Sequence, residues 1–288
     1  MSVDRAKVCF ARVKFADFLG ATIVEVSEGR AVLALPFRPE LLNAGGILSG
    51  GASASLLNMA GTVAAWTTIE SAAEPDAGCV DMSLRYLDAA AGEDIVAEAH
   101  TLRRGRGIAF LEVALRNRSG KPICQGLMVY RTSGGAGHPL RLRAEHRLLP
   151  APDPMTPPED PWLFRGYMRN LGITPLHQTL GTVRLHMPCP ASHTDEQGRL
   201  HAGALASLVD IAGVSATWSL VPSRQGARGS TIGMHVAYTS AATEPVVADA
   251  HVQQRSEELF FATVHVTTAA TGQLVAIGEV SYRLLEPR

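Results

Sequence analysis

The 288-residue chain has little of what usually announces a function. Its four cysteines, Cys9, Cys79, Cys124 and Cys189, show no CxxC spacing. Neither a zinc ribbon nor a disulfide framework is therefore expected, and the thiols read as reduced ones of a cytoplasmic protein. Charge of one sign is also missing. With 26 Lys and Arg against 27 Asp and Glu, the formal charge of −1 gives no long-range attraction for nucleic acid or an anionic membrane. No apolar run approaches the ~18 residues of a membrane span. Asp4, Arg5, Lys7, Arg12 and Lys14 interrupt the first apolar stretches, so no signal peptide is expected to open the chain. A Walker phosphate loop and a Gly-x-Ser-x-Gly elbow are both absent, which argues against nucleotide hydrolases and serine esterases. His193, Asp195 and Glu196 can ligate metals, yet no third ligand stands at motif spacing, and no metal site is expected.

What is present is one pattern, twice. Leu48 to Trp66 reads LSGGASASLLNMAGTVAAW and Leu200 to Trp218 reads LHAGALASLVDIAGVSATW, agreeing without a gap at ten of nineteen places. VDMSLRY ending at Tyr86 faces IGMHVAY ending at Tyr238, and GKPICQGLMVYR ending at Arg131 faces GQLVAIGEVSYR ending at Arg283. Similarity maintained over such a length marks a duplicated folding unit. Between the copies, 132–161 holds seven prolines and a Gly-rich start, the composition of a semi-rigid connector. The expected division is an N-terminal domain 1–131, a linker 132–161 and a C-terminal domain 162–288.

Each copy predicts a long helix followed by strands. In 51–66 there is no proline, and Ala52, Leu56, Met59, Val63 and Trp66 recur at helical spacing. The abundance of Ala, Ser and Gly means that neighbours approach this helix closely on nearly every side. Strands are expected at 80–87, 94–102, 108–116 and 122–131, and again at 232–239, 246–254, 259–267 and 274–284, with extended segments preceding each helix near 21–35 and 176–187. The connections are too short for parallel crossovers. The fold class is therefore α+β: two tandem units, each an antiparallel sheet wrapped around one helix.

This pattern resembles the hotdog-fold thioesterases, particularly the phenylacetate-pathway and 4-hydroxybenzoyl-CoA type. Their signature is an Asn, a Gly, His-Gly-Gly entering the helix, and an acidic residue about two turns along. The first copy carries Asn43, Gly46, Ser49-Gly50-Gly51 and Asn58; the second carries Asp195, Gly198, His201-Ala202-Gly203 and Asp210. The run GEDIVAEAHTLRRGRGIAFLEVALRN, Gly92 to Asn117, is similar to the family's strand hairpins. The resemblance implies that the two units pair inside one chain as a pseudo-dimer, with sheets joined edge to edge and helices antiparallel. It also implies sites shared between units: the glycine entrance from one, the acid from the other. Such units can pair again, which leaves a homo-oligomer of pseudo-dimers open.

Crossing the halves separates two sites. One combines Asn43 and Gly50 with Asp210. Gly50 offers a backbone N–H at the positive end of a helix and no side chain to obstruct a thioester carbonyl. Asp210 can attack directly or deprotonate a water. Thr231 falls where family members place a hydroxyl that helps hold the water. The other cross combines Asp195, His201 and Ala202 with Asn58 and Cys79. An amide cannot serve as base or carboxylate nucleophile, so this second site is expected to be degenerate, with His201 anchoring its loop. Gly51, Arg104, Arg106 and Arg255 are expected to bind substrate, the arginines as phosphate partners at a hairpin tip. The expected activity is hydrolysis of an acyl-CoA thioester to a carboxylic acid and CoA, with no cofactor beyond the CoA of the substrate. Three alternatives stand beside it: a non-catalytic acyl-CoA-binding protein that kept the groove, an enoyl-CoA hydratase, and a thioesterase acting on a carrier protein.

Overall fold

The computed structural model describes residues 2–69, 77–132, 165–221 and 226–285; of the expected linker, all but Thr132 lies outside them. The chain opens with two short helices, α1 (Val3–Phe10) and α2 (Lys14–Leu19), and a hairpin of β1 (Thr22–Ser27) and β2 (Arg30–Leu35). Helix α3 (Gly50–Thr67) follows, then β3 (Gly78–Tyr86), β4 (Ile95–Arg104), β5 (Ile108–Asn117) and β6 (Pro122–Arg131). The second copy repeats the order: α4 (Tyr167–Asn170), β7 (Thr174–Thr179), β8 (Thr182–Met187), α5 (Ala202–Trp218), β9 (Arg228–Tyr238), β10 (Val246–Ser256), β11 (Leu259–Thr268) and β12 (Leu274–Leu285).

The twelve strands of the described residues form one antiparallel sheet, in the order β1-β2-β4-β5-β6-β3-β9-β12-β11-β10-β8-β7. The order is a palindrome of the two copies, joined where β3 pairs with β9 (Asp81↔Ala237 through Arg85↔Gly233). Edge-to-edge joining therefore takes place within one chain, and each half is a hotdog unit.

Small residues explain how the helices fit inside. Every residue of α3 except Gly50 and Thr62 is buried, and every residue of α5 except Ala202 and Val214. A helix buried all round must be apolar all round, and Leu56, Leu57, Met59, Leu208 and Val209 each contribute roughly 1.5–3 kcal/mol by leaving water. The two helices cross antiparallel at their small residues. A methyl group on Gly51 would stand 2.7 Å from Ser207 Cα, and one on Gly203 would stand 2.9 Å from Ser55 Cα. At the crossing, Ser55 Oγ donates to the Gly203 carbonyl at 2.8 Å and lies 2.9 Å from Ser207 Oγ. The unburied helix positions are related by the duplication, Gly50 with Ala202 and Thr62 with Val214. They mark where each helix meets a cavity.

Two contacts across the halves had no forecast in the periodicity. Phe15 of α2 donates its backbone N–H to the Thr194 carbonyl and packs on His201, 5.2 Å between ring centres. Its counterpart Tyr167 donates its N–H to the Leu42 carbonyl, and its hydroxyl reaches Ser207 Oγ at 3.1 Å. Each copy thus places an aromatic residue under the other's helix-entrance loop.

Candidate active site

The loop from β2 to α3 is shaped by its own side chains. Asn43 Oδ1 accepts from the N–H groups of Gly45 and Ile47, at 2.8 and 3.3 Å, and Gly46 takes a left-handed φ of 77° to close the turn. Asn43 therefore holds the loop that delivers the start of α3. Gly50 occupies the first helical position, where an N–H has no acceptor within the helix. Its carbonyl accepts from Tyr86 Oη at 3.0 Å, which fixes the peptide plane.

Asp210 reaches this point from the opposite helix. A methyl group on Gly50 would lie 2.8 Å from Asp210 Oδ2, so glycine is what lets carboxylate and helix start come so close. The side chain is 4% exposed. Burial raises the Asp210 carboxyl to about 6, against the opposing effects of the Thr231 hydroxyl, which hydrogen-bonds it, and of the Gly51 N–H, which faces it. Thr231 Oγ1 donates to Oδ1 at 2.8 Å. Asn43, Gly50, Asp210 and Thr231 line one cavity of about 750 Å³. Its walls include the apolar side chains of Leu48, Ile211, Val214 and Trp218, and the exposed Arg165, Arg228 and Arg283 also line it.

The second set of residues meets in a separate cavity of about 370 Å³, lined by Asn58, Cys79, Asp195, His201 and Ala202. Asp195 Oδ1 accepts from the N–H groups of Gln197 and Arg199, both at 2.9 Å, and Oδ2 receives Arg199 Nε at 2.8 Å. His201 caps α5: its Nδ1 accepts from the Gly203 N–H at 2.9 Å. Burial lowers the ring to about 4, so it is neutral at physiological pH. The pattern behind the Ser49-for-His exchange lies here. Ser49 makes no side-chain cap bond, leaving the Gly51 N–H to Asp210, whereas His201 captures the equivalent Gly203 N–H.

Of the expected substrate-binding residues, none lines either cavity. Gly51 is buried at the helix crossing and serves the Asp210 carboxylate. Arg104 and Arg106 are exposed at the β4–β5 turn, and Arg255 is held over the Phe260 ring with its Nε donating to the Glu257 carbonyl at 3.0 Å. The cations at the first cavity are instead Arg165, Arg228 and Arg283, widely separated in sequence and gathered by the joined sheet. Trp218 lines this cavity, while Trp66 fills the core and donates Nε1–H to Tyr130 Oη at 2.9 Å. Among the described residues, no cluster of three His, Cys, Asp or Glu side chains is placed to hold a metal ion, and no helix is long and apolar enough to cross a membrane.

Comparison with known proteins adds three findings. The family model of the thioesterase superfamily matches residues 45–124 and 197–275, once in each copy. Human acyl-coenzyme A thioesterase 13 is 37% identical over 117 residues, covering 40% of this chain and 81% of that protein. Among solved structures, acyl-CoA thioesterase II from Mycobacterium marinum superposes with a TM-score of 0.64 at 16% identity, covering 95% of this chain and 97% of the other. A hot dog-fold protein from Alicyclobacillus acidocaldarius gives 0.65 at 16%, covering 95% and 98%. At these identities, the structural likenesses concern the fold.

Proposed function

The chain belongs to the thioesterase superfamily, and on that premise we propose that it hydrolyses acyl-CoA thioesters at one site per chain, the cavity of Gly50 and Asp210. The observation that carries this reading is the meeting of a buried carboxylate on one helix with the bare N-terminus of the other.

In this reading the thioester carbonyl oxygen lies at the Gly50 N–H, where the positive end of α3 favours the negative charge that develops. A water held by Asp210 and Thr231 attacks the carbonyl carbon. Asp210 takes its proton, the oxyanion collapses, and the carbon–sulfur bond breaks. The departing thiolate of CoA takes that proton from Asp210, which returns the carboxylate to its starting state. A base with a pKa of about 6 suits this role: at neutral pH it is mostly ionised, yet still basic enough to take a proton in the transition state. The acyl chain lies along Ile211, Val214 and Trp218, and the phosphates of CoA meet Arg165, Arg228 and Arg283.

The hydratase alternative has less support. It needs a second acid–base group facing the substrate, and among the described residues lining the first cavity there is no histidine. His201 belongs to the other cavity and its Nδ1 is engaged as a cap. The test is release of free thiol from short, medium and aromatic acyl-CoAs by the intact chain. Turnover of at least one class is expected; binding without turnover across the panel would overturn the proposal in favour of a ligand-holding protein.

A further inference from the structure

The second cavity keeps the geometry of the first with its chemistry changed. Asn58 stands where Asp210 stands in the other site, 1% exposed and lining the cavity. Neither its Oδ1 nor its Nδ2 makes a hydrogen bond to a nitrogen or oxygen among the described residues; the Cys79 sulfur, a weak partner, is the polar group set beside it. The reason lies in the two donors that serve Asp210. The equivalent of the Gly51 N–H is the Gly203 N–H, which His201 has taken. The equivalent of Thr231 is Cys79, whose thiol donates to the Asp81 carbonyl at 3.5 Å and which burial keeps protonated. A buried amide left this way keeps the cost of leaving water without recovering it. What relieves it is a ligand that presents an acceptor and a donor side by side.

A protonated carboxyl group does so; its ionised form brings acceptors alone. Its carbonyl oxygen accepts from Asn58 Nδ2–H and its hydroxyl donates to Oδ1, while the Ala202 N–H at the first position of α5 adds a donor at the positive end of the helix. A thioester brings acceptors alone and leaves Oδ1 unmet. The charges facing the cavity permit an acid. Asp195 is neutralised by Arg199 at 2.8 Å, Arg131 also lines the cavity, and burial together with the neighbouring Asp195 raises the Glu196 carboxyl. In the first cavity, by contrast, ionised Asp210 repels a carboxylate and helps expel it.

We propose that the second cavity is a non-hydrolytic binding site for a carboxylic acid, the class of compound that the first cavity releases. That this acid is the protein's own product rests on the proposed thioesterase activity; binding of a carboxyl group beside Asn58 does not.

The test is titration of the intact chain with octanoate and with benzoate at about pH 5, where part of each acid is protonated, and again at about pH 8, where affinity should fall; each acid carries ¹³C at the carboxyl, and binding is followed by NMR and calorimetry. One equivalent of at least one acid is expected to bind. Asn58→Leu, which keeps the volume and removes the amide, is expected to weaken binding 10-fold or more. Ala202→Pro deletes one N–H at a helix position that tolerates proline, and is expected to weaken it several-fold; circular dichroism checks that both variants fold. Absence of binding at millimolar acid, or unchanged binding in both variants, would overturn the assignment. So would a non-hydrolysable octanoyl-CoA analogue that binds at two equivalents and displaces octanoate, since the ligand would then be the thioester. None of these readings depends on turnover.

Discussion

Replacing Thr231 by valine removes one hydroxyl from the Asp210 carboxylate at nearly constant volume. The lost bond is 2.8 Å long and made to an ionised, buried acceptor. Hydrogen bonds to charged groups contribute about 1.5–3 kcal/mol, and each pKa unit corresponds to about 1.4 kcal/mol, so the variant's carboxyl is expected to rise by about 1–2 units. Wild-type hydrolysis, limited by an Asp210 base with a pKa of about 6, should fall as the pH drops through that value. In Thr231→Val the acid limb moves to about pH 7–8, and titration alone slows the reaction at pH 7 by about 2–10-fold. Above pH 9 the ionisation deficit disappears, and what remains measures water placement. The assay is loss of thioester absorbance between pH 4.5 and 9.5, read as kcat/KM. Stability supplies a second readout with a fixed sign. Because the folded-state pKa of about 6 lies above the ordinary 3.8, Asp210's contribution is fully present below 3.8 and is lost as pH rises through 6, by roughly 3 kcal/mol. Thr231→Val should therefore cost more stability at pH 8 than at pH 5. An acid limb that stays in place, or moves down, would refute the role given to this bond.

Three further outcomes follow from the geometry. Gly51→Ala places a methyl group 2.7 Å from Ser207 Cα, where backbone must move, and should lower stability by about 1–3 kcal/mol in urea unfolding. Asn58→Asp buries a carboxylate without the two donors that serve Asp210; its destabilisation should grow as pH rises, and thiol release should not exceed that of wild type. Arg228→Ala and Arg283→Ala should raise KM for an acyl-CoA more than for the matching acyl-pantetheine, which lacks the nucleotide phosphates, while Arg104→Ala should leave both unchanged.

The duplicated helix-and-strand pattern was legible because its period and its small residues are local properties that survive in both copies. The meeting of Gly50 with Asp210 was legible for a related reason: one copy carries the glycines and the other the acid, so pairing the copies brings them together. The arginines that line the first cavity were not. A charged hairpin tip is conspicuous in a sequence, whereas Arg165, Arg228 and Arg283 meet only after β3 and β9 join the sheets. The exchange of aromatic residues under the two loops was hidden for another reason. Phe15 and Tyr167 sit in helices too short to show a period, and the shared Leu-Gly pairs at Leu19-Gly20 and Leu171-Gly172 were the available signal. Ser49 stands where the family signature has His. In three dimensions it withholds a cap, and the freed Gly51 N–H goes to the carboxylate.

The central claim is that one chain holds one working site, with Asp210 as its base. It is tested most directly by comparing kcat for thiol release in Asp210→Asn with that of wild type, on whichever acyl-CoA the wild type turns over fastest. A loss of about 10²-fold or more, the usual effect of removing a positioned acid–base group, is the predicted result. A folded Asp210→Asn protein that keeps its kcat within a few-fold of wild type would contradict the account, because hydrolysis would then be taking place without the carboxylate on which the site is built.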